Sequence, residues 1–282
     1  MLTIAQITDL HITSDKDPLS KKRNAKRLRS VLRAIHALQP RPVAIIATGD
    51  LVDRGEPEEY VELLALLRDV EIPIHFGLGN HDKRAPFLEA HPATPVDDGG
   101  FVQYAIDICG LRIIMLDTLD EESGDGAFCY GRAAWLTRTL NEAPDRPTVI
   151  ALHHPPIMSG IQWMDPNPDD AWVLRLAEVL RDRKQVLTGV CGHTHRAFHG
   201  VLDGHVFSAS PATSIQLTLN LTPVDMRIPD GREILVDEPP GYTLLMWDKG
   251  RLTTHTCVAG PFGPAVTYDQ PFIRNSEPAK RA

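Results

Sequence analysis

Five short segments hold the side chains best suited to chemistry: Asp9-Leu10-His11, Gly49-Asp50, Gly79-Asn80-His81-Asp82, His153-His154-Pro155-Pro156 and Gly192-His193-Thr194-His195. Carboxylate and imidazole donors together suit Zn, Fe, Mn or Co rather than Ca. His193 and His195 are alternate residues of an extended segment, so they face the same way and can reach one site. His153 and His154 are adjacent and point oppositely, so only one of them is expected to bind an ion. Taken singly, each segment reads as a turn, and Gly-Asp carries almost no functional weight alone. Together, in this order and each close behind an apolar run, they point to a two-metal site. Divalent ions about 3.5–4 Å apart, bridged by a carboxylate, can hold a hydroxide and a phosphoryl group for in-line displacement.

The elements that must position these groups are also legible. Apolar runs at Leu2–Ile7, Val43–Ala47, Ile72–Leu78, Leu111–Leu116, Thr148–Leu152 and Val186–Val190 read as strands. Helical spacing lies between them: Ala25, Leu28, Val31, Leu32, Ile35 and Leu38 share one face, Tyr60, Leu63, Leu64 and Leu67 another behind Pro57, and Trp172, Leu176, Val179 and Leu180 a third. Strands alternating with helices imply βαβ units and a largely parallel sheet. In such sheets, ligands bind beyond the carboxyl ends of the strands, where the five segments fall.

The last third has strand-like runs at His205–Ala209, Ile215–Leu219, Tyr242–Trp247 and Leu252–Cys257 without helices between them. A hairpin-like excursion is expected over about 220–240, as a surface loop, a cap or a dimer arm, around the turn Ile228-Pro229-Asp230-Gly231. One domain over 1–260 and an extended tail over 261–282 complete the expected organisation.

Composition excludes several classes. The 282 residues carry 29 Lys and Arg against 37 Asp and Glu, a formal charge of −8, which counts against binding a nucleic-acid polymer. The basic run Lys21, Lys22, Arg23, Lys26, Arg27, Arg29 and Arg33 reads as the solvated side of a helix, the lesser alternative being the phosphate track of a DNA nuclease. No apolar run approaches the ~20 residues of a membrane span. The first residues read as a strand rather than a signal peptide, and the four cysteines are scattered, so a reduced, cytoplasmic protein is expected.

The five segments resemble the signature of the calcineurin-like metallophosphoesterases. Gly49-Asp50-Leu51-Val52-Asp53-Arg54-Gly55 and Leu152-His153-His154-Pro155-Pro156 look like the class III cyclic nucleotide phosphodiesterase and glycerophosphodiesterase branch, with weaker likeness at Trp163-Met164-Asp165 and Pro240-Gly241-Tyr242. The resemblance implies a four-layer α/β/β/α sandwich with two mixed sheets. It implies two divalent ions, one held by Asp9, His11 and His195, the other by Asn80, His153 and His193, with Asp50 bridging. His81 would contact a phosphate oxygen or assist proton transfer to the leaving alkoxide. Asp53 and Asp82 would orient ligand imidazoles or stand as exposed turn carboxylates, and His154 would be a packed neighbour. The implied reaction is hydrolysis of a small phosphodiester, the implied assembly a homodimer or higher homo-oligomer. A phosphomonoesterase or protein phosphatase is the alternative, echoed by Arg54 but opposed by Ile12 and Asp82 where that branch has Gly and Glu.

Overall fold

Strand β1 (Leu2–Ile7) is the centre from which the first sheet grows. On one side it pairs in parallel with β2 (Ala44–Thr48), which pairs in parallel with β3 (Ile74–Gly77). On its other side β12 (Gly241–Asp248) runs antiparallel, followed by β13 (Arg251–Val258), giving the order β13-β12-β1-β2-β3. The second sheet has the order β4-β5-β6-β7-β9-β8, from β4 (Tyr104–Ile108), β5 (Leu111–Met115), β6 (Thr148–Ala151), β7 (Val186–Cys191), β8 (Phe198–Leu202) and β9 (His205–Ala209). Both sheets mix parallel and antiparallel pairs. The computed structural model describes residues 1–14 and 18–265, so the tail expected over 261–282 falls almost wholly outside the described residues.

Alternation along the strands fixes the layers. Ile113, Met115, Val149 and Ala151 belong to one apolar cluster with the first sheet, whereas Ile114, Leu116, Ile150 and Leu152 join a second cluster. That second cluster contains Ala133, Leu136 and Leu140 of α4 (Tyr130–Asn141) and Val173, Leu176 and Leu180 of α5 (Ala171–Leu180). Successive side chains face opposite sides of a sheet. The second sheet therefore packs on the first through one face and on helices through the other. Leu28, Val31 and Ile35 of α1 (Pro18–Ala37), and Tyr60, Leu63 and Leu67 of α2 (Pro57–Leu67), cover the first sheet. The result is the α/β/β/α sandwich, each buried Leu, Ile or Phe contributing about 1.5–3 kcal/mol.

Helix α2 begins at a capping box, Glu56 with Glu59, and has Pro at its first turn. The short α3 (Arg84–Ala90), α4, β4 and β8 are elements beyond those the periodicity predicts; α3 offers only Phe87 to the core, too little apolar repeat to register. The excursion closes through a minimal pair, β10 (Gln216–Leu217) against β11 (Leu235–Val236), so the strand expected over Ile215–Leu219 shrinks to two residues. Arg27 of α1 pins its base, donating to the carbonyls of Ser214 (2.7 Å) and Glu238 and to Asp237 Oδ1 (2.6 Å). Arg196 grips the other side, through the Leu217 carbonyl (2.6 Å) and Glu238 Oε1 (3.0 Å).

Candidate metal centre

The loops that follow β1, β2, β3, β6 and β7 meet at one edge of the sandwich and bring together all eight residues singled out from the sequence. Asp9, His11, Asp50 and His195 form one donor group and His153, His154 and His193 another, the donor atoms within each lying within 4.8 Å of one another. Asn80 Oδ1 lies 3.1 Å from His153 Nε2 and 2.9 Å from His193 Nδ1. Asp50 stands between the groups, its Oδ2 3.5 Å from His11 Nε2 and its Oδ1 3.3 Å from His153 Nε2.

These loops turn so sharply that Asp9, His11, Asp50, His193 and His195 all adopt positive φ, between 45° and 68°. Non-glycine residues rarely take that conformation, which costs roughly 1–2 kcal/mol each. A mesh of hydrogen bonds holds them there. Leu10 and His11 donate to the Asp50 carbonyl (2.8 and 3.0 Å), His193 N–H to Asp9 Oδ1 (3.0 Å), and His81 N–H to Asp50 Oδ1 (2.9 Å). Two glycines permit the close approach: a Cβ at Gly79 would sit 2.3 Å from Asp50 Oδ1, and one at Gly192 1.9 Å from Thr8 Oγ1.

The imidazoles are oriented by acceptors behind them. His195 Nδ1 donates to the Ile215 carbonyl (2.7 Å), His153 Nδ1 to the Thr48 carbonyl (2.8 Å), and His11 Nδ1 faces Asp53 Oδ1 (3.3 Å). A carbonyl can only accept, so the proton sits on Nδ1 and the Nε2 lone pair points inward. His11 Nε2 and His195 Nε2 thus face each other at 3.0 Å, and His153 Nε2 faces carboxylate and carboxamide oxygens. Acceptors converging on acceptors require a cation or a proton between them. Carboxylate, carboxamide and imidazole donors converging in this way suit divalent metal ions.

The electrostatics express the same crowding. Burial opposes charge on His153, but Asp50 outweighs it and raises the imidazole to about 9. Burial would raise Asp50, yet the His153 charge and hydrogen bond hold it well below the usual carboxylate range. Asp9, buried beside Asp50, is pushed up to about 6. His193 falls to about 3 through burial and the charge on His153. Divalent ions would relieve these conflicts by replacing protons.

His81 behaves differently from the donors. Its Nδ1 donates to the Asp53 carbonyl (2.7 Å), and its ring packs edge-on to His11 with centroids 4.6 Å apart. Burial works against its protonation, but Asp50 and the Asp53 carbonyl raise it above the ordinary histidine value. Asp53 faces the His11 imidazole, whereas Asp82 does neither thing expected of it. It is buried and staples two loops, accepting from Leu51 N–H (3.1 Å), Gly79 N–H (2.9 Å) and the Tyr60 hydroxyl (3.2 Å). His154 is packed, as expected, its Nδ1 2.9 Å from Thr118 Oγ1.

Sequence reasoning missed Asn24, which donates to the His11 carbonyl at 2.7 Å and so braces a strained turn. A signal was present: Asn24 lies on the same helical stripe as Leu28, Val31 and Ile35, a polar residue on an apolar face. Above the donors lies a cavity of about 830 Å³ whose walls include His81, Arg23, Trp163, Trp172, Asp170 and Leu235. Arg54, the residue that echoed a phosphatase, is 61% exposed, pairs with Asp53 at 3.7 Å and is not part of that wall. His199 is also outside it. The four cysteines are free, and no helix among the described residues is long and apolar enough to cross a membrane.

Comparison with known proteins agrees with this geometry. The family model described as calcineurin-like phosphoesterase matches residues 2–197. A probable glycerophosphodiester phosphodiesterase, GpdQ, of Arcobacter nitrofigilis is 30% identical over 273 residues, spanning 95% of this chain and 98% of its own. A probable cyclic nucleotide phosphodiesterase of Rhodopseudomonas palustris is 33% identical over 274 residues, spanning 95% and 93%. Among solved structures, a purple acid phosphatase from yellow lupin shares the fold, with a TM-score of 0.59 at 12% identity over 94% of this chain and 57% of its own.

Proposed function

The chain belongs to the calcineurin-like phosphoesterase family, and from that membership we propose that it is a metal-dependent phosphodiesterase acting on small diesters, 3′,5′-cyclic nucleotides or glycerophosphodiesters. The observation that carries the reading is the pair of donor groups sharing Asp50 beneath the cavity. Relatives spanning nearly the whole chain are named for both substrate classes. Two divalent ions, of Fe, Mn, Zn or Co, would supply Lewis acidity and neutralise charge developing on the phosphoryl oxygens.

The protein's own groups do the rest. Asp9, His11 and His195 would hold one ion and Asn80, His153 and His193 the other, with Asp50 placed within reach of both groups. The mesh around the positive-φ turns fixes those donors before substrate arrives, so little reorganisation is needed during reaction. His81, anchored by the Asp53 carbonyl and lining the cavity, is placed to give a proton to the departing alkoxide. The absence of Arg54 from the cavity wall favours a diester over a protein phosphate.

A small-molecule substrate, a homodimer and the cytoplasm belong to the same reading, the last supported by four free cysteines. A monomeric mass from light scattering would remove the dimer. The activity is tested by hydrolysis of bis(p-nitrophenyl) phosphate beside p-nitrophenyl phosphate, with Mn²⁺ and with chelator. Metal-dependent turnover favouring the diester is the expected result. Preference for the monoester would move the reading to a phosphomonoesterase.

A further inference from the structure

Contacts between neighbouring segments give the order of the walls around the cavity. Starting at α1, Arg27 joins the excursion at Asp237 (2.6 Å). The excursion touches the loop before α5: a Cβ at Gly160 would lie 3.2 Å from Leu221 Cδ2, and Val224 N–H donates to Gln162 Oε1 (3.4 Å). α5 follows, with Trp172 against Gly126, where a Cβ would lie 2.9 Å from both the Trp172 ring and His154 Cβ. The loop holding Gly126 reaches α3 through Glu121 and Arg84 (3.3 Å). His81 precedes α3, its ring is edge-on to His11, and Asn24 of α1 holds the His11 carbonyl, which closes the circuit. His81 therefore stands across the cavity from the seam where the excursion meets the loop before α5.

The two sides differ in chemistry. The seam is an apolar slot, with Trp163, Met164 and Pro166 on one lip and Ile234 and Leu235 on the other. Leu235 is 49% exposed, and Trp163 and Met164 are half-buried. A flat, uncharged group between the lips would cover this surface. Asp165 holds the loop lip in shape, accepting from Ser159 N–H (2.6 Å) and Gly160 N–H (2.8 Å). Asp165 and Asp170 line that side, whereas the single Lys or Arg among the described lining residues is Arg23, on α1. The slot is thus poorly matched to a group with a further negative charge. Toward α1 the wall is polar: Ser20, Arg23 and Asn24 line it, and Arg23 Nε donates to Asn24 Oδ1 (3.2 Å).

The two ester oxygens of a tetrahedral phosphorus diverge, so only one can reach His81. Its Nδ1 is committed to the Asp53 carbonyl (2.7 Å), which leaves Nε2 for a leaving oxygen. The departing group then lies on the polar wall, and the group that stays on phosphorus points to the slot. We infer that the site takes asymmetric phosphodiesters joining a nucleoside to a small polyol, holds the nucleoside in the slot and releases the polyol. One water is consumed. Its oxygen joins phosphorus, the bond from phosphorus to the polyol oxygen breaks, and that oxygen takes a proton from His81, which a proton of the water replaces. The products are a nucleoside monophosphate and the free polyol. This orientation rests on the phosphodiesterase reading and refines it.

The test is the product ratio from adenosine 5′-phosphoglycerol, read by chromatography. Both leaving groups are primary alkoxides, so chemistry alone hardly distinguishes them, and partial loss of metal or of folded protein leaves the ratio untouched. The native protein with Mn²⁺ should give AMP and glycerol in at least about tenfold excess over adenosine and glycerol phosphate. Trp163→Ala with Leu235→Ala removes apolar contacts to one group and should bring the ratio to within about twofold of unity. Leu219→Ala, on the excursion but outside the cavity wall, should keep the native ratio. A native ratio near unity, an excess of adenosine, an unchanged ratio in the double variant or the same shift in Leu219→Ala overturns the inference. So does turnover of bis(p-nitrophenyl) phosphate without turnover of the adenosine diester, which leaves the phosphodiesterase reading standing. Turnover of neither ends that reading, and binding to the protein with Mn²⁺ then decides the slot. AMP held at least about tenfold tighter than glycerol phosphate, with the difference lost in the double variant, supports it; equal affinities overturn it.

Discussion

Asp50 Oδ1 and His153 Nε2 stand 3.3 Å apart, although Asp50 leaves the first sheet at the end of β2 and His153 leaves the second at the end of β6. The contact joins the two sheets at the site, and the side chain that makes it also reaches His11. Asp50→Ala should cut diester turnover about a thousandfold or more, on the order of 4 kcal/mol, and lower the bound metal. Turnover together with elemental analysis checks this. Undiminished activity would end the two-metal reading.

His81→Ala should separate chemistry from metal binding. Its Nδ1 is fixed by the Asp53 carbonyl at 2.7 Å, and it is assigned to neither ion. A general acid contributes typically 10²–10⁴-fold, most where the leaving group is a poor one. Turnover of an alkyl diester should therefore fall further than that of bis(p-nitrophenyl) phosphate, with metal content retained. Loss of metal would make His81 a ligand.

Asp82 is a structural staple, and its variants should read out as stability. Burial, then the charge on Asp50, pushes its carboxyl up to about 7 while backbone N–H groups of Leu51 and Gly79 hold it in place. Tyr60→Phe removes one partner of that carboxyl and should cost about 1 kcal/mol, Asp82→Ala about 3 kcal/mol. Thermal or urea unfolding measures both. A neutral Asp82→Ala would mean the loops are held without it.

Arg27→Ala should free the base of the excursion, which Arg27 ties to α1 through Ser214, Asp237 and Glu238. Ile234 and Leu235 of the excursion line the cavity. KM should rise several-fold and proteolysis should quicken between residues 218 and 234, with kcat nearly kept. The Arg–Asp pair, largely exposed on the Asp237 side, contributes on the order of 1 kcal/mol at most by itself. Unchanged cleavage would show that Arg196 alone suffices.

Much of this arrangement could be read from the chain because strand ends and motif residues coincide. Once Thr148–Ala151 and Val186–Cys191 are neighbouring parallel strands, His153 and His193 must emerge at the same edge, as Asp9 and Asp50 must behind Leu2–Ile7 and Ala44–Thr48. The choice of His153 over His154 came from resemblance; in the structure His153 is the one whose Nε2 meets Asn80 and Asp50. What stayed hidden depends on contacts between distant segments. Nothing in the local sequence says that Asp82 turns inward to Leu51, or that Arg196 reaches Glu238. Residue type likewise gives no warning that His11 and His195 must adopt left-handed turns, since tertiary contacts impose them.

Those left-handed turns tie catalysis to thermal behaviour. Asp9, His11, Asp50, His193 and His195 each hold a conformation that relaxes as soon as the loops unfold, so the unfolded chain gains what the folded one stores. Ions that bind only the folded arrangement oppose that release, by RT ln(1 + [M]/Kd) for each site. The melting point then becomes a binding isotherm: its rise with added metal would report how firmly the centre is occupied, without any substrate present.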